Sequence, residues 1–336
     1  MSSIEFAIVD VFSTEAFTGN PLAVVNNLAD SLTTTQMQLV TRQFNLSETT
    51  FFLRATTSRA DYRFRSFLPN GREVFGAGHN ILGAWWHLAQ AGFLDLSNPH
   101  SVDPIDGLET FVFHQELGGD VTPVKVLRSK AGEISISLRQ APPQSHSYHP
   151  DPAALAASFG ATESDIGFST GSLTLKPQVM STSTTRHLIV PLSSIAALDS
   201  AQVQMDLLLK QLVAVDDKAY GLYLVTPDSS SSDKTTLQAR FFTPAISGED
   251  PATGSAAGPL SAYLARNGYL ELEGGKAQIL VRQGLKIGRK CVIKVIVSES
   301  TEEEGRLEVD VIGGGAVVAS GKLTAPDFAT AFVTSV

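Results

Sequence analysis

Three side chains able to carry a proton stand at turns of this 336-residue chain: Glu48, His79 and Asp250. Glu48 lies in Asn45-Leu46-Ser47-Glu48-Thr49-Thr50, between a helical stretch and a strand-like one. His79 follows Gly76-Ala77-Gly78 at the head of an apolar helix. Asp250 lies in Gly248-Glu249-Asp250-Pro251-Ala252-Thr253-Gly254-Ser255, five residues before Ser255. Imidazole exchanges protons near neutral pH. A carboxylate enclosed by protein can hold a proton or release one. These are the groups that general acid/base chemistry uses. Each also has an ordinary role open to it. A histidine bonds a carbonyl, an Asp before Pro makes a turn, and Glu48 caps a helix or carries a solvated charge.

Other chemistries find little support. Gly76, Gly78 and Gly83 are spaced G-x-G-x4-G, not as a dinucleotide-binding loop requires, and no acidic residue closes a second strand about 20 residues on. The seven histidines are scattered. His146 and His149 are three apart, but the Pro and Ser around them predict a loop rather than a metal site. Trp85 and Trp86 read as core, Arg186 and His187 as a surface strand end that could also meet an anionic substrate. The single cysteine, Cys291, reads as a buried strand position. One cysteine makes no internal disulfide, zinc cluster or two-thiol site, and suits a reducing cytosol. With 25 Lys+Arg against 34 Asp+Glu, the net charge of -9 disfavours nucleic acid. No run of apolar residues approaches a membrane span, and the first residues read as a strand rather than a signal peptide.

The elements that must position these residues follow from pattern. Strands are expected at Ile4–Phe12, Leu22–Val25, Tyr62–Phe67, His187–Pro191, Gly221–Thr226 and Leu237–Phe242, and near Ala277–Val281, Val292–Val297 and Leu307–Ile312. Amphipathic or apolar helices are expected at Ser31–Phe44, His79–Ala91 and Gly254–Asn267. Asp151 and Pro152 open a helix running to Phe159. Asp228–Lys234 reads as a mobile hairpin tip. Many short strands with few helices argue for an α+β protein with mixed sheets, and the length for two domains.

An internal repeat ties the turns together. Arg65-x-Phe67-x-Pro69 returns as Arg240-x-Phe242-x-Pro244, 175 positions later. Glu73, Gly78 and Gly92 return as Glu249, Gly254 and Gly268, 176 positions later, so the second bend has one extra residue. The chain reads as two similar halves, residues 1–128 (with the C-terminal tail able to join them) and 129–336. Each half has a central helix entered through a glycine bend. If the halves face each other, their helix N-termini, with unpaired N–H groups and partial positive charge, favour one anionic ligand.

These motifs together resemble the phenazine-biosynthesis isomerase family. The resemblance rests on Val9-Asp10-Val11-Phe12, Phe17-Thr18-Gly19-Asn20-Pro21-Leu22-Ala23-Val24, Leu46-Ser47-Glu48-Thr49-Thr50-Phe51 and Ala77-Gly78-His79. It extends through Glu249-Asp250-Pro251-Ala252-Thr253-Gly254-Ser255-Ala256, Gln283-Gly284 and Gly288-Arg289, so it spans nearly the whole chain. It implies the diaminopimelate epimerase-like α+β fold: two pseudo-symmetric halves, each a mixed sheet wrapped around a central helix, with the active site between them. It implies a cofactor-free isomerase. The family's reference enzyme moves a proton along the conjugated system of trans-2,3-dihydro-3-hydroxyanthranilate. By the same resemblance Glu48 matches the acid/base glutamate, and His79, Asp250 and Ser255 match active-site residues. Gly78, Asn80, Gly254 and Ser255 are then expected to bind substrate, with N–H groups of the two bends holding its carboxylate. Asn80 stands where many members carry a small apolar residue. The epimerase relatives use two cysteines; this chain has Ala77 and Thr253 there, so two-thiol racemisation is excluded. The implied partners are a small anionic substrate and a second copy of the chain in a homodimer. Neither metal nor cofactor, nucleic acid nor membrane is implied, and the location is cytoplasmic. A lyase or epimerase starting with the same proton abstraction, or a non-catalytic binding protein, are the alternatives.

Overall fold

The computed structural model describes residues 3–76, 78–170, 173–182, 185–246 and 248–326. Ala77 lies outside the described residues. The chain divides into two compact units, Met1–Leu138 with Gly313–Val336, and Arg139–Ile312.

The first stretch holds β1 (Ser3–Val11), β2 (Asn20–Asn26), α1 (Thr34–Phe44), β3 (Thr49–Arg54), β4 (Tyr62–Phe67), β5 (Glu73–Val74), α2 (His79–Gln90), β6 (Ser101–Val102), β7 (Glu109–Leu117), β8 (Asp120–Arg128) and β9 (Ile134–Arg139). There follow β10 (Gln144–Tyr148), α3 (Pro152–Ala157), β11 (Ser169–Thr170), β12 (Leu173–Thr174), β13 (Gln178–Ser181), β14 (Arg186–Pro191), α4 (Ile195–Ser200), α5 (Met205–Val215), β15 (Ala219–Pro227), β16 (Thr236–Phe242), β17 (Glu249–Asp250), α6 (Gly254–Arg266), β18 (Lys276–Gln283), β19 (Cys291–Glu299), β20 (Leu307–Gly313) and β21 (Gly315–Thr324).

In the first unit β1 pairs antiparallel with β2 and β21, and α1 carries the chain from β2 to the parallel β3. β3 is antiparallel to β4, which takes β5 antiparallel and β7 parallel; β8 and β9 follow as antiparallel neighbours. Because β9 pairs with β8, the first unit runs past residue 128. Helix α1 begins at Thr34, later than the expected Ser31, because the Asn27 side chain already accepts the Ser31 and Leu32 N–H groups at 3.0 and 3.2 Å. Thr33 and Gln36 then form a capping box. Helix α2 is buried on nearly every side, from Asn80 to Trp86 and at Leu88. Such a helix needs apolar neighbours all round, which β1, β2, β3, β8 and β21 supply.

The second unit repeats this pairing order. β13 is antiparallel to β14, β14 runs parallel to β15, and β15 is antiparallel to β16. β16 takes β17 antiparallel and β18 parallel, and β19 and β20 follow antiparallel. Helix α6, buried from Ala256 to Leu264, occupies the place of α2. The repeat extends to side chains. Arg65 reaches Glu73 at 2.7 Å and stacks over Phe67 at 5.1 Å; Arg240 reaches Glu249 at 2.8 Å and stacks over Phe242 at 4.9 Å.

The structure corrects several expectations. His146 lies in strand β10, not a loop, and bonds Ser181 Oγ at 2.9 Å. At the base of the Asp228–Lys234 segment the buried Asp228 carboxylate holds Arg282 at 2.7 Å and accepts from Ser230 and Gln238. Helices α4 and α5 were not foreseen; they form the crossover between β14 and β15, and Leu208, Leu212 and Val215 enter that unit's core. Trp85, Trp86 and Cys291 are buried as expected. Among the described residues no helix is long and apolar enough to cross a membrane.

Candidate active site

Glu48 occupies the step between α1 and β3. Helix α1 stops at Asn45, which adopts the left-handed conformation (φ 52°) and donates its N–H to the Thr41 carbonyl at 3.0 Å. Four residues later Thr49 pairs with Ala23 in the parallel ladder, which fixes the position of Glu48. His79 is the first residue of α2. Its Nε2 stands 3.3 Å from Glu48 Oε2 and 3.4 Å from Ser47 Oγ. Glu48 Oε2 is buried and makes no hydrogen bond, although the imidazole is close. A buried carboxylate oxygen with no bonded partner is uncommon and keeps its lone pair available for an incoming proton.

The bend before α2 is held from inside. Asn80 is 4% exposed. Its Oδ1 accepts the Gly78 N–H at 2.9 Å, and its Nδ2 donates to Ser66 Oγ and the Gly76 carbonyl, both at 3.1 Å. Thr50 bridges to Ser66 at 2.8 Å and to the Asn80 carbonyl at 3.3 Å. The Asn80 amide is thus committed to the bend. The Gly78 N–H, expected to face a carboxylate, is engaged by Asn80 instead.

The second unit builds a different constellation at the matching bend. Asp250 pairs with Phe241 in the short β17 ladder. Its Oδ2 accepts a short hydrogen bond from Thr253 Oγ1. Fully buried Gln283 braces both. It donates to the Asp250 carbonyl at 2.8 Å and to Thr253 Oγ1 at 2.9 Å, and it accepts from Thr253 N and Tyr223 OH, both at 3.1 Å. Burial, with Asp250 nearby, pushes the Tyr223 phenol above its ordinary range, so it stays a donor. Gly284 has φ +83°, and a Cβ there would meet the Pro251 carbonyl at 2.8 Å; glycine lets this strand end close on the Asp250 loop. The Gly254 carbonyl accepts from Gln140 at 3.1 Å.

Ser255, in the first turn of α6, lies 3.1 Å from Nε2 of His187. His187 is completely buried, which corrects its reading as a surface strand end: the parallel pairing of β14 with β15 covers it. Only the conjunction of a histidine at a strand start with a serine 68 residues later could have signalled this, and the sequence gives no reason to join them. Burial pushes the imidazole down from the ordinary 6.5 to about 3. The unfolded chain takes up this proton below about pH 6.5, whereas the folded chain resists until about pH 3. The contribution of His187 to stability is therefore complete above pH 6.5 and is lost as pH falls toward 3. The loss is about 1.4 kcal/mol per pH unit, or about 2 kcal/mol between pH 6.5 and 5. Urea midpoints at the two pH values measure it. The His187→Phe variant should show a decline shallower by that amount; an unchanged slope would assign the effect to other groups.

Among the described residues no group of three or more His, Cys, Asp or Glu side chains is placed to hold a metal. A family profile described as phenazine biosynthesis-like protein matches residues 9–321. The chain belongs to the phenazine biosynthesis-like family. It is 30% identical to the trans-2,3-dihydro-3-hydroxyanthranilate isomerase of Pseudomonas chlororaphis, over 95% of this chain and 98% of that one. It is also 30% identical to an uncharacterized isomerase of Clostridium acetobutylicum, over 94% and 96%. Like these relatives of the phenazine biosynthesis-like family, the chain is an isomerase. A Bacillus anthracis phenazine biosynthesis protein superposes with a TM-score of 0.80 at 25% identity, covering 96% of this chain and 100% of that one. A hydroxyproline epimerase of Agrobacterium vitis, 13% identical, shares the fold with a TM-score of 0.57, over 96% and 92%. The phenazine biosynthesis-like chain thus has the diaminopimelate epimerase-like α+β fold, in which each half carries a mixed sheet around its own helix.

Proposed function

We propose that this isomerase works without a cofactor and moves one proton on a small carboxylate-bearing substrate. The observation that carries the reading is the buried Glu48 Oε2, which makes no hydrogen bond and lies 3.3 Å from His79 Nε2. Glu48 takes a proton from a carbon acidified by an adjacent conjugated system. The C–H electron pair shifts into that system, and Glu48 returns the proton at another carbon, so no atom or electron is gained or lost. His79, 3.3 Å from Glu48, assists the transfer. Asp250, braced by Thr253 and Gln283, and Ser255 hold polar substituents of the ring. N–H groups in the first turn of α6 favour the carboxylate, with Gly254 contributing. Asn80 sets the bend under His79, and its own amide is occupied there. The substrate class, a cyclic amino acid or secondary-metabolite precursor, is supported by the substrate named for the Pseudomonas chlororaphis relative. A homodimer and a cytoplasmic location belong to the same reading. Sedimentation velocity checks the first, and a chain with a single cysteine, the buried Cys291, suits a reducing compartment for the second.

The test is deuterium uptake in D2O by chelator-treated, dialysed protein, offered trans-2,3-dihydro-3-hydroxyanthranilate and a panel of small cyclic carboxylates. Mass gain of one unit in at least one compound is expected with no addition. Uptake that requires an added metal or nucleotide, or none across the panel, overturns the reading.

A further inference from the structure

His187 faces the start of α6 but has no part in the proton-moving set. Its register partner on β15 is Gly221. A Cβ at Gly221 would fall 2.4 Å from the Phe241 ring, so glycine is what lets Phe241 close beside the imidazole. The two rings meet edge to face, 5.4 Å between centres and 76° apart, and Tyr220 stands 6.1 Å away at 82°. These aromatic neighbours fix the ring's orientation. Nε2 is left 3.1 Å from Ser255 Oγ, while Nδ1 is buried with no hydrogen-bond partner.

A neutral imidazole has one N–H and one bare nitrogen, and burial keeps this one neutral. With the proton on Nδ1, an N–H donor would be buried unpaired. With the proton on Nε2, the donor is satisfied by Ser255 and only an acceptor is left over. Orphaned buried donors are the rarer and costlier defect. The Ser255 oxygen therefore accepts from His187, and its own hydrogen must point elsewhere.

We propose that His187 is a positioning residue: it donates from Nε2 to Ser255 Oγ and turns the Ser255 hydroxyl outward, as a fixed donor for an anionic oxygen bound at the first turn of α6. The hydroxyl then acts with the helix N–H groups, all of them donors, so the site accepts a carboxylate and rejects a group that must itself donate. The ligand half of this inference rests on the carboxylate reading above; the proton's location does not.

Two measurements test it. In nitrogen-15 histidine spectra of the whole chain, assigned with His187→Phe, Nε2 should give a pyrrole-type signal and Nδ1 a pyridine-type one. The reverse overturns the proposal without touching the proposed function. Anthranilate and its neutral amide, anthranilamide, serve as probes of the site. His187→Phe and Ser255→Ala should each weaken anthranilate by about tenfold, the scale of one hydrogen bond to a charged group. His187→Gln, whose amide can donate from the same place, should restore affinity to within about threefold of the native chain. Equal losses in the Phe and Gln variants, or none in either, overturn the positioning role. If the native chain binds no anthranilate although Nε2 carries the proton, the carboxylate reading fails and the positioning of Ser255 stands.

Discussion

Glu48→Gln should lower deuterium uptake by roughly 10²–10⁴-fold, the usual worth of one positioned acid/base group, while anthranilate affinity changes by less than about threefold. The substitution keeps the shape of the side chain and replaces a carboxylate oxygen by a group that takes up no proton near neutral pH. The surroundings should tolerate it. Thr49 remains fixed in the parallel ladder, Asn45 still ends α1, and no hydrogen bond to Oε2 is lost. Mass spectrometry in D2O reads the rate, and a fluorescence titration reads binding. Uptake at the native rate would remove Glu48 from the chemistry. Binding lost together with uptake would make it a ligand-holding residue instead. The partition between the two readouts carries the argument, because a disturbed fold would depress both.

The repeat was legible because it is local. Arg65-x-Phe67 and Arg240-x-Phe242 sit on single strands, and their partners Glu73 and Glu249 lie one short turn away. Sequence spacing shows the repeat, and the structure adds the two Arg–Glu pairs and two cation–ring contacts. The neighbourhood of Glu48 and His79 was suggested by residue type and resemblance, but their 3.3 Å approach depends on a ladder and a helix start 31 residues apart. What stayed hidden is what long-range pairing decides. His187 precedes an apolar run and looks like the edge of a strand; its burial comes from β15 and its partner from α6. Asn80 looks like a polar group aimed at ligand, yet the nearest unmet hydrogen-bonding groups are those of its own bend, and its amide goes there. The crossover helices went unread for a different reason. α4 is only six residues long, and α5 pairs its buried leucines with the exposed Leu209 and Val213, which blurs the amphipathic pattern.

The same repeat sets up the largest expected change in stability. Arg240→Leu should destabilise the chain by about 3–5 kcal/mol, the cost of leaving one partner of a buried ion pair uncompensated. Glu249 is the reason: its side chain is 4% exposed, against 11% for Arg240, and Oε1 already lacks a hydrogen bond. The guanidinium also donates to the Leu198 and Ala201 carbonyls at 2.9 Å, tying α4 to β16, so those carbonyls lose a donor as well. If the uncompensated carboxylate dominates, the double variant Arg240→Leu/Glu249→Met should recover much of the loss, since a buried ion pair exchanged for apolar side chains is often nearly neutral. If the carbonyl bonds dominate, the double variant stays as unstable as the single one. The first copy supplies the internal control. Arg65 and Glu73 keep 16% and 22% of their side-chain surface exposed, so water can screen what Arg65→Leu leaves behind, and its loss should be clearly smaller. Urea denaturation of the three variants and the native chain orders them. Equal losses for Arg65→Leu and Arg240→Leu would show that burial does not set the cost, and that the paired carboxylates are held by the strand ends around them.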